Sequence, residues 1–214
     1  MSFFVSEPQG VYEPIPNGSY PAICYLIADI GEHWQEPMEK GKEGRWQRQI
    51  VIGWEVQNVK EEEPDKVYYI HSFYSASLGK NSNLRRDLAN WRGKEFTPEE
   101  LQNFDLRNVL RAPCLLQIAS KTKKDGTQRD AVTGIGKLPR GMQALPPKQE
   151  FLFDIEHDLD RLEEMPKIVQ TCVRTSRQMQ EMNATVSNPA SFDGDPFGEE
   201  PPFEAPFADT FGGY

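Results

Sequence analysis

Aromatic and cationic side chains recur together along the middle of the chain, between residues 34 and 129. Nucleobases stack on exposed aromatic rings, and lysine and arginine contact phosphates, so this combination is the chemistry of single-stranded nucleic-acid binding. Each aromatic could equally belong to a core, and a basic turn could simply be solvated. The candidate residues for such a surface are Trp34, Trp46, Arg48, Tyr69, Phe73, Tyr74, Lys80, Lys121, Lys123, Lys124 and Arg129.

The sequence lacks the patterns that catalysis or metal binding would need. Its three histidines are scattered, with no second ligand at zinc spacing. The pair Gly79-Lys80 lacks the upstream glycine and the following Ser or Thr of a phosphate-binding loop. Asp29 and Glu55 are isolated acids on predicted strands, and we expect both to face solvent. The sequence therefore predicts a binding protein that is not an enzyme and has neither a metal nor a cofactor.

Charge is distributed very unevenly along the chain, whose formal net charge is -9. Residues 14–149 carry 17 acids and 20 bases, a net of +3, whereas residues 183–214 carry six acids and no base. The chain is thus a mildly basic body with an acidic end, which the overall isoelectric point hides.

Hydrophobic periodicity and turn signals predict the order β-β-β-α-β-β for the body. Ser82 is a suitable N-cap for a helix that Gly93 ends, and Thr97 begins a second helix with a capping box. Trp34 falls in a polar stretch, residues 32–45, that reads as a long loop. The predicted strands are residues 20–31, 46–56, 66–77, 112–120 and 127–138.

This order is that of the oligonucleotide-binding (OB) fold, a five-stranded Greek-key barrel, here with a helical insertion between strands three and four. Composition predicts four regions. They are a flexible N-terminal lead (residues 1–17), an OB-fold domain (18–149), a C-terminal helical segment (150–182) and a disordered acidic aromatic tail (183–214). In the third region we expect the chain to become helical from Phe151 onward.

The segment SNLRRDLANWRG, followed by FTPEEL, FDL and PCLL, lies within residues 74–120. It resembles a family of tailed-bacteriophage proteins that bind single-stranded DNA, and the flanking YPAICYLIADIG, VIGWEV and KLPRGM are similar to the same family in the same order. The resemblance spans roughly residues 18–145. It implies an OB-fold protein that coats single strands during phage replication or recombination.

The acidic end repeats aromatic residues at spacings that fit neither a helix nor a strand. Acids and phenyl rings in a disordered segment form a portable ligand for a partner protein, although a merely solubilising tail stays open. The tail is similar in character to the acidic, phenylalanine-tipped tails of single-strand binders, but it ends in Gly-Gly-Tyr. The predicted partner-binding residues are Phe192, Phe197, Phe203, Phe207, Asp209, Phe211 and Tyr214.

Together these features predict a sequence-independent single-stranded-DNA-binding protein whose tail recruits replication or recombination proteins and competes with DNA for the basic surface. The alternative is a protein–protein adaptor or inhibitor whose body does not bind DNA and whose tail imitates nucleic acid. No membrane span or secretory signal is apparent, so we expect a cytoplasmic protein, in the host cell if a phage encodes it. Self-association stays open.

Overall fold

A computed structural model describes residues 13–37, 41–60, 62–63, 65–122 and 126–187. Its strands are β1 (Gly18–Gln35), β2 (Arg45–Val56), β3 (Tyr68–Ser75), β4 (Pro113–Thr122), β5 (Gln128–Gly136) and β6 (Phe151–Asp154). Its α-helices are α1 (Asn83–Arg92), α2 (Pro98–Gln102), α3 (Lys167–Arg174) and α4 (Arg177–Ser187), and two 3-10 helices cover Leu106–Val109 and Leu159–Glu164.

The six strands form one sheet that is not closed into a barrel. Five of them are antiparallel neighbours in the order β3-β2-β1-β4-β5, and the short β6 adds to β1 in parallel. The mainly β architecture and the helical insertion between β3 and β4 are confirmed. The predicted five-stranded barrel does not form, because a sixth strand is present and the sheet stays open between β3 and β5.

Residues of the N-terminal segment bridge these two edge strands. The Glu13 carboxylate accepts hydrogen bonds from Lys60, Lys66 and the Tyr68 hydroxyl at the start of β3. These bonds lower the pKa of Glu13 to about 2. Two residues further on, the Ile15 N–H donates to Asp130 on β5 at 2.7 Å, and the Ile15 side chain is buried in the core. Glu13 and Ile15, which we predicted to belong to a flexible lead, are therefore held against the sheet.

The alternation of β2 places its side chains as the sequence predicts. Ile50, Ile52, Trp54 and Val56 are buried in one core cluster together with α1, β4 and β5. Opposite Gly53, β1 contains a bulge in which one extra residue shifts the pairing register.

A second core covers the other face of β1 and β2, and residues from the C-terminal segment complete it. Phe153 of β6, Ile155 and Val169 of α3 pack there against Leu26 and Val51. The prediction that the chain becomes helical at Phe151 is wrong. The reason is that β4 pairs with β1 only as far as Ile23, which leaves the next edge of β1 free for Phe151–Asp154.

The helix signals near the first core behave as predicted. The Ser82 side chain caps α1, and Gly93 ends it in the left-handed conformation with φ of 68°. Thr97 and Glu100 form a reciprocal capping box on α2. Of the helices that the structure describes, none is long and apolar enough to cross a membrane.

Candidate nucleic-acid interface

Two hollows in the surface meet at the exposed ring of Phe73, which is 48% accessible. The first, here called the β5 hollow, measures about 290 Å³ and separates β3 from β5. The second, the β2 hollow, measures about 630 Å³ and lies between the start of β2 and the loop from β3 to α1. Phe73, Tyr74 and Asn83 line both. The two hollows therefore form one continuous surface, with the Phe73 ring at its middle.

Five cations line this surface, and two acids, Asp87 and Asp130, line the β5 hollow beside them. Arg45 and Lys80 border the β2 hollow, and Arg86, Lys121 and Arg129 border the β5 hollow. Arg86 pairs with Asp87 at 2.9 Å, whereas within the described residues none of the other four cations forms an ion pair with a carboxylate. Arg107, in contrast, lines neither hollow, and its guanidinium is paired with the Asp105 carboxylate at 2.7 Å.

Lys121 and Arg129 are also register partners on β4 and β5, so two exposed like charges lie directly opposite each other. Such a cross-strand pair opposes folding by about 0.2–1 kcal/mol relative to neutral residues. An anion between the two side chains would remove that repulsion. The arrangement is therefore suited to a phosphate group.

The aromatics predicted on β3 separate onto two faces. Tyr69 and Phe73 point outward and are each about half exposed, whereas Tyr74 is 7% exposed. The Tyr74 ring belongs to the core and its hydroxyl donates to Asp87 of α1 at 3.1 Å. We correct the prediction for Tyr74, because a buried ring offers no face to a base. Tyr69 lies outside both hollows and packs edge-on against Tyr25, with ring centroids 5.1 Å apart.

The tryptophans belong to a strand hairpin, not to a loop as predicted for Trp34. Trp34 is the direct partner of Trp46 in the β1–β2 ladder, and their rings meet edge-on at 5.6 Å. Side chains alternate along β2, so Trp46 projects from the opposite side to Arg45, which borders the β2 hollow. Neither tryptophan lines either hollow. The two tryptophans, which we predicted to stack on bases, therefore lie outside the surface that contains Phe73.

Helix α4 is attached to this hairpin. The Arg177 guanidinium lies over the Trp46 ring at 5.5 Å and pairs with Glu32 at 3.3 Å. The Gln178 side chain accepts the Glu32 N–H at 3.0 Å. A helix that begins within the predicted helical segment and extends to Ser187, five residues into the predicted tail, therefore holds the end of β1 and β2.

Arg48 is held by carboxylates rather than free for a phosphate. Its guanidinium donates to Asp29 at 2.5 Å and to Glu156 at 2.8 Å. Asp154, Glu156 and His157 bring ligand atoms within 4.8 Å of one another, as a cation site would. Arg48 already supplies positive charge there, so the group is explained as an ion-pair cluster. We correct the prediction that Arg48 contacts DNA.

Of the remaining predicted residues, some line the hollows and the others lie outside the described residues. Lys80, Lys121 and Arg129 are exposed and line the hollows. Lys123 and Lys124 lie outside the described residues, as do the seven predicted tail residues from Phe192 to Tyr214.

Two polar groups on β2 and β3 were not foreseen. Glu55 of β2, which we expected to face solvent, is 0% exposed, and the main-chain N–H of Lys148 donates to both of its oxygens at 2.9 and 3.0 Å. His71 of β3, two residues before Phe73, is partly buried, lines the β5 hollow and hydrogen-bonds the Tyr25 hydroxyl at 2.6 Å. Burial lowers the pKa of His71 to about 4, so this imidazole is neutral near pH 7.

The sequence analysis missed several residues of the surface, namely Gln35, Arg45, Gln47, Gln49, Asn81 and Asn83. A signal for two of them was present. The alternation of β2 already put Gln47 and Gln49 on the face opposite Ile50, where polar residues on a binding strand would lie.

Comparison with known proteins gives no family for this chain. No family model matches the sequence, and no curated protein is significantly similar to it. The function therefore has to be inferred from the residues of the two hollows.

Proposed function

We propose that the protein binds single-stranded DNA without sequence preference, through a surface centred on Phe73. The observation that carries the proposal is the set of four cations without carboxylate partners in the described part of the chain, arranged around one exposed aromatic ring. An exposed ring with cations on both sides offers a base a stacking face and offers the flanking phosphates their counter-charges.

The topology supports assigning an OB fold to this protein, with the sheet open between β3 and β5. The strand order β3-β2-β1-β4-β5, with α1 after β3, matches the order of that fold. Strands two and three form the nucleic-acid-binding face in OB folds. Phe73 on β3 and Arg45 on β2 lie on those two strands.

In this proposal a base stacks on Phe73 and the phosphates lie near the four cations. The stacking contributes ~1–3 kcal/mol for a base. Bases of a duplex are already stacked and paired, so a duplex would bind only through its phosphates. We further propose that the protein acts in phage replication or recombination, is not an enzyme and recruits partner proteins through its acidic C-terminal segment.

The test is a titration of a labelled thymidine oligomer of about 30 nucleotides, followed by fluorescence anisotropy. Anisotropy suits this chain better than tryptophan quenching, because Trp34 and Trp46 lie outside the hollows. We expect binding to the single strand, much weaker binding to duplex of equal length, and weakening with salt. No binding at low salt would reject the proposal and favour the adaptor whose acidic tail imitates nucleic acid.

Phe73→Ala tests the stacking step, and Tyr69→Ala is its matched control. The two side chains are on the same strand with exposed fractions of 48% and 47%, but only Phe73 borders the hollows. Loss of one stacked base predicts a ~5–150-fold weaker Kd for Phe73→Ala. Tyr69→Ala should bind nearly as wild type does. Equal losses in the two variants would contradict the assignment of Phe73 as the stacking residue.

A further inference from the structure

The β2 hollow differs chemically from the β5 hollow. Five neutral amide side chains are among its lining residues, namely Gln35, Gln47, Gln49, Asn81 and Asn83, together with the cations Arg45 and Lys80. The polar lining of the β5 hollow is mainly charged: Lys121 and Arg129 lie opposite each other, and Arg86, Asp87 and Asp130 lie beside them. One side of Phe73 therefore offers neutral donors and acceptors beside two cations, and the other side offers charged groups, of which Lys121 and Arg129 have no carboxylate partner among the described residues.

Most of these amides are not engaged within the protein. Only the Gln35 side chain makes a hydrogen bond in the described part of the chain, to the Trp34 carbonyl at 3.2 Å. The side chains of Gln47, Gln49, Asn81 and Asn83 have no partner among the described residues. Gln47 and Gln49 are half-buried on a β-strand, so their positions are fixed by the sheet. Fixed amides with free donors and acceptors are suited to bind a polar, uncharged ligand.

We infer that the β2 hollow holds the edge of the nucleobase that stacks on Phe73, while the phosphates lie toward Lys121 and Arg129. This inference rests on the proposed function and specifies which part of the strand enters each hollow. A primary amide has both N–H donors and a carbonyl acceptor, and rotation by about 180° exchanges them. Such side chains can match the edge of any base. The hollow therefore excludes duplex, whose base edges are paired, without selecting a sequence.

The experiment compares a thymidine oligomer with an abasic oligomer of equal length and backbone charge, by the same anisotropy titration. Wild type should bind the abasic strand more weakly, because only the phosphate contacts remain. The double variant Gln47→Leu/Gln49→Leu keeps similar side-chain size but removes the amides. Its affinity for the thymidine oligomer should fall about tenfold, as the loss of one to two hydrogen bonds predicts. Its affinity for the abasic strand should stay unchanged.

The matched control is the double variant Lys121→Gln/Arg129→Gln, which should lose affinity for both strands by the same factor. Asn81→Ala, at an exposed loop position, repeats the amide test without altering the sheet, and it should show the same selectivity for the strand with bases. Equal losses of the amide variants on the two strands would overturn the inference and place the backbone in the β2 hollow. If wild type binds neither strand, the proposed function itself fails.

Discussion

Replacing Lys121 and Arg129 by glutamine should weaken nucleic-acid binding and stabilise the fold at the same time. The two residues face each other across β4 and β5, and neither has a carboxylate partner among the described residues. Removing this repulsion should stabilise the protein by ~0.2–1 kcal/mol. For a protein of this size, 1 kcal/mol changes the Tm by roughly 2–4 °C. We therefore expect the Tm of the double variant to rise by up to about 4 °C.

The binding deficit should have a defined dependence on salt. Each phosphate contact to a single strand contributes about -0.7 to the slope of log K against log salt concentration, so removing two should make the slope less steep by about 1.4. Between about 50 and 200 mM salt, the affinity gap between wild type and the double variant should therefore narrow by ~7-fold. The gap should be largest at the lowest salt.

Anisotropy titrations over a salt series, together with thermal unfolding followed by circular dichroism, measure both quantities in the same samples. Arg107→Gln is the control, since Arg107 is exposed, is paired with Asp105 and lines neither hollow. An unchanged slope in the double variant would refute the reasoning. A slope change of the same size in Arg107→Gln would also refute it. So would a fall in the Tm of the double variant, because unfolding would then explain the lost binding.

Three further outcomes follow from the structure. Truncation after Ser187 keeps α4 whole and removes residues 188–214 with their six acids. It should tighten binding to the thymidine oligomer at low salt and have little effect at high salt. Equal affinities of the truncated and full-length proteins at low salt would exclude competition by the tail. Glu55→Gln should lower the free energy of unfolding, measured by urea titration, by ~1.5–3 kcal/mol, because the charged acceptor of the Lys148 N–H is lost. Its control is Glu164→Gln at an exposed ion pair, which should change the free energy of unfolding by less than ~0.5 kcal/mol. The pKa of His71 is lowered in the folded state, so the unfolded chain binds a proton that the folded protein does not. The free energy of unfolding should therefore fall as the pH drops from about 6.5 to 4, by at most ~1.4 kcal/mol per pH unit. His71→Gln should flatten that part of a plot of urea midpoint against pH.

The local parts of the fold could be predicted because their signals are local. The alternation of Ile50 and Ile52 identifies β2, and Ser82 with Gly93 delimits α1. Phe73 was found as a candidate for the same reason. What the pattern of β3 could not show is that Tyr74 points inward, because aromatic residues occur on both faces of that strand.

The errors share a physical cause, namely contacts that only the tertiary structure creates. Arg48 is adjacent to polar residues in β2, but the carboxylate of Glu156, more than a hundred positions away, holds its side chain. Trp34 reads as an isolated residue in a polar stretch until the hairpin brings Trp46 beside it. A single sequence records residue types and spacing. The Arg48–Glu156 contact depends on how the C-terminal segment packs on the sheet, and the Trp34–Trp46 pairing depends on the register of β1 and β2.

Helix α4 attaches the start of the acidic C-terminal segment to the β1–β2 hairpin. Arg177 and Gln178 hold Glu32 and Trp46 on one side of a hairpin whose other side supplies Arg45 to the β2 hollow. The segment that leaves α4 is the acidic one. Under the proposed function, a partner whose binding to this segment moves α4 and thereby Arg45 would change the affinity of the hollows for DNA, and bound DNA would then change the affinity for that partner by the same factor.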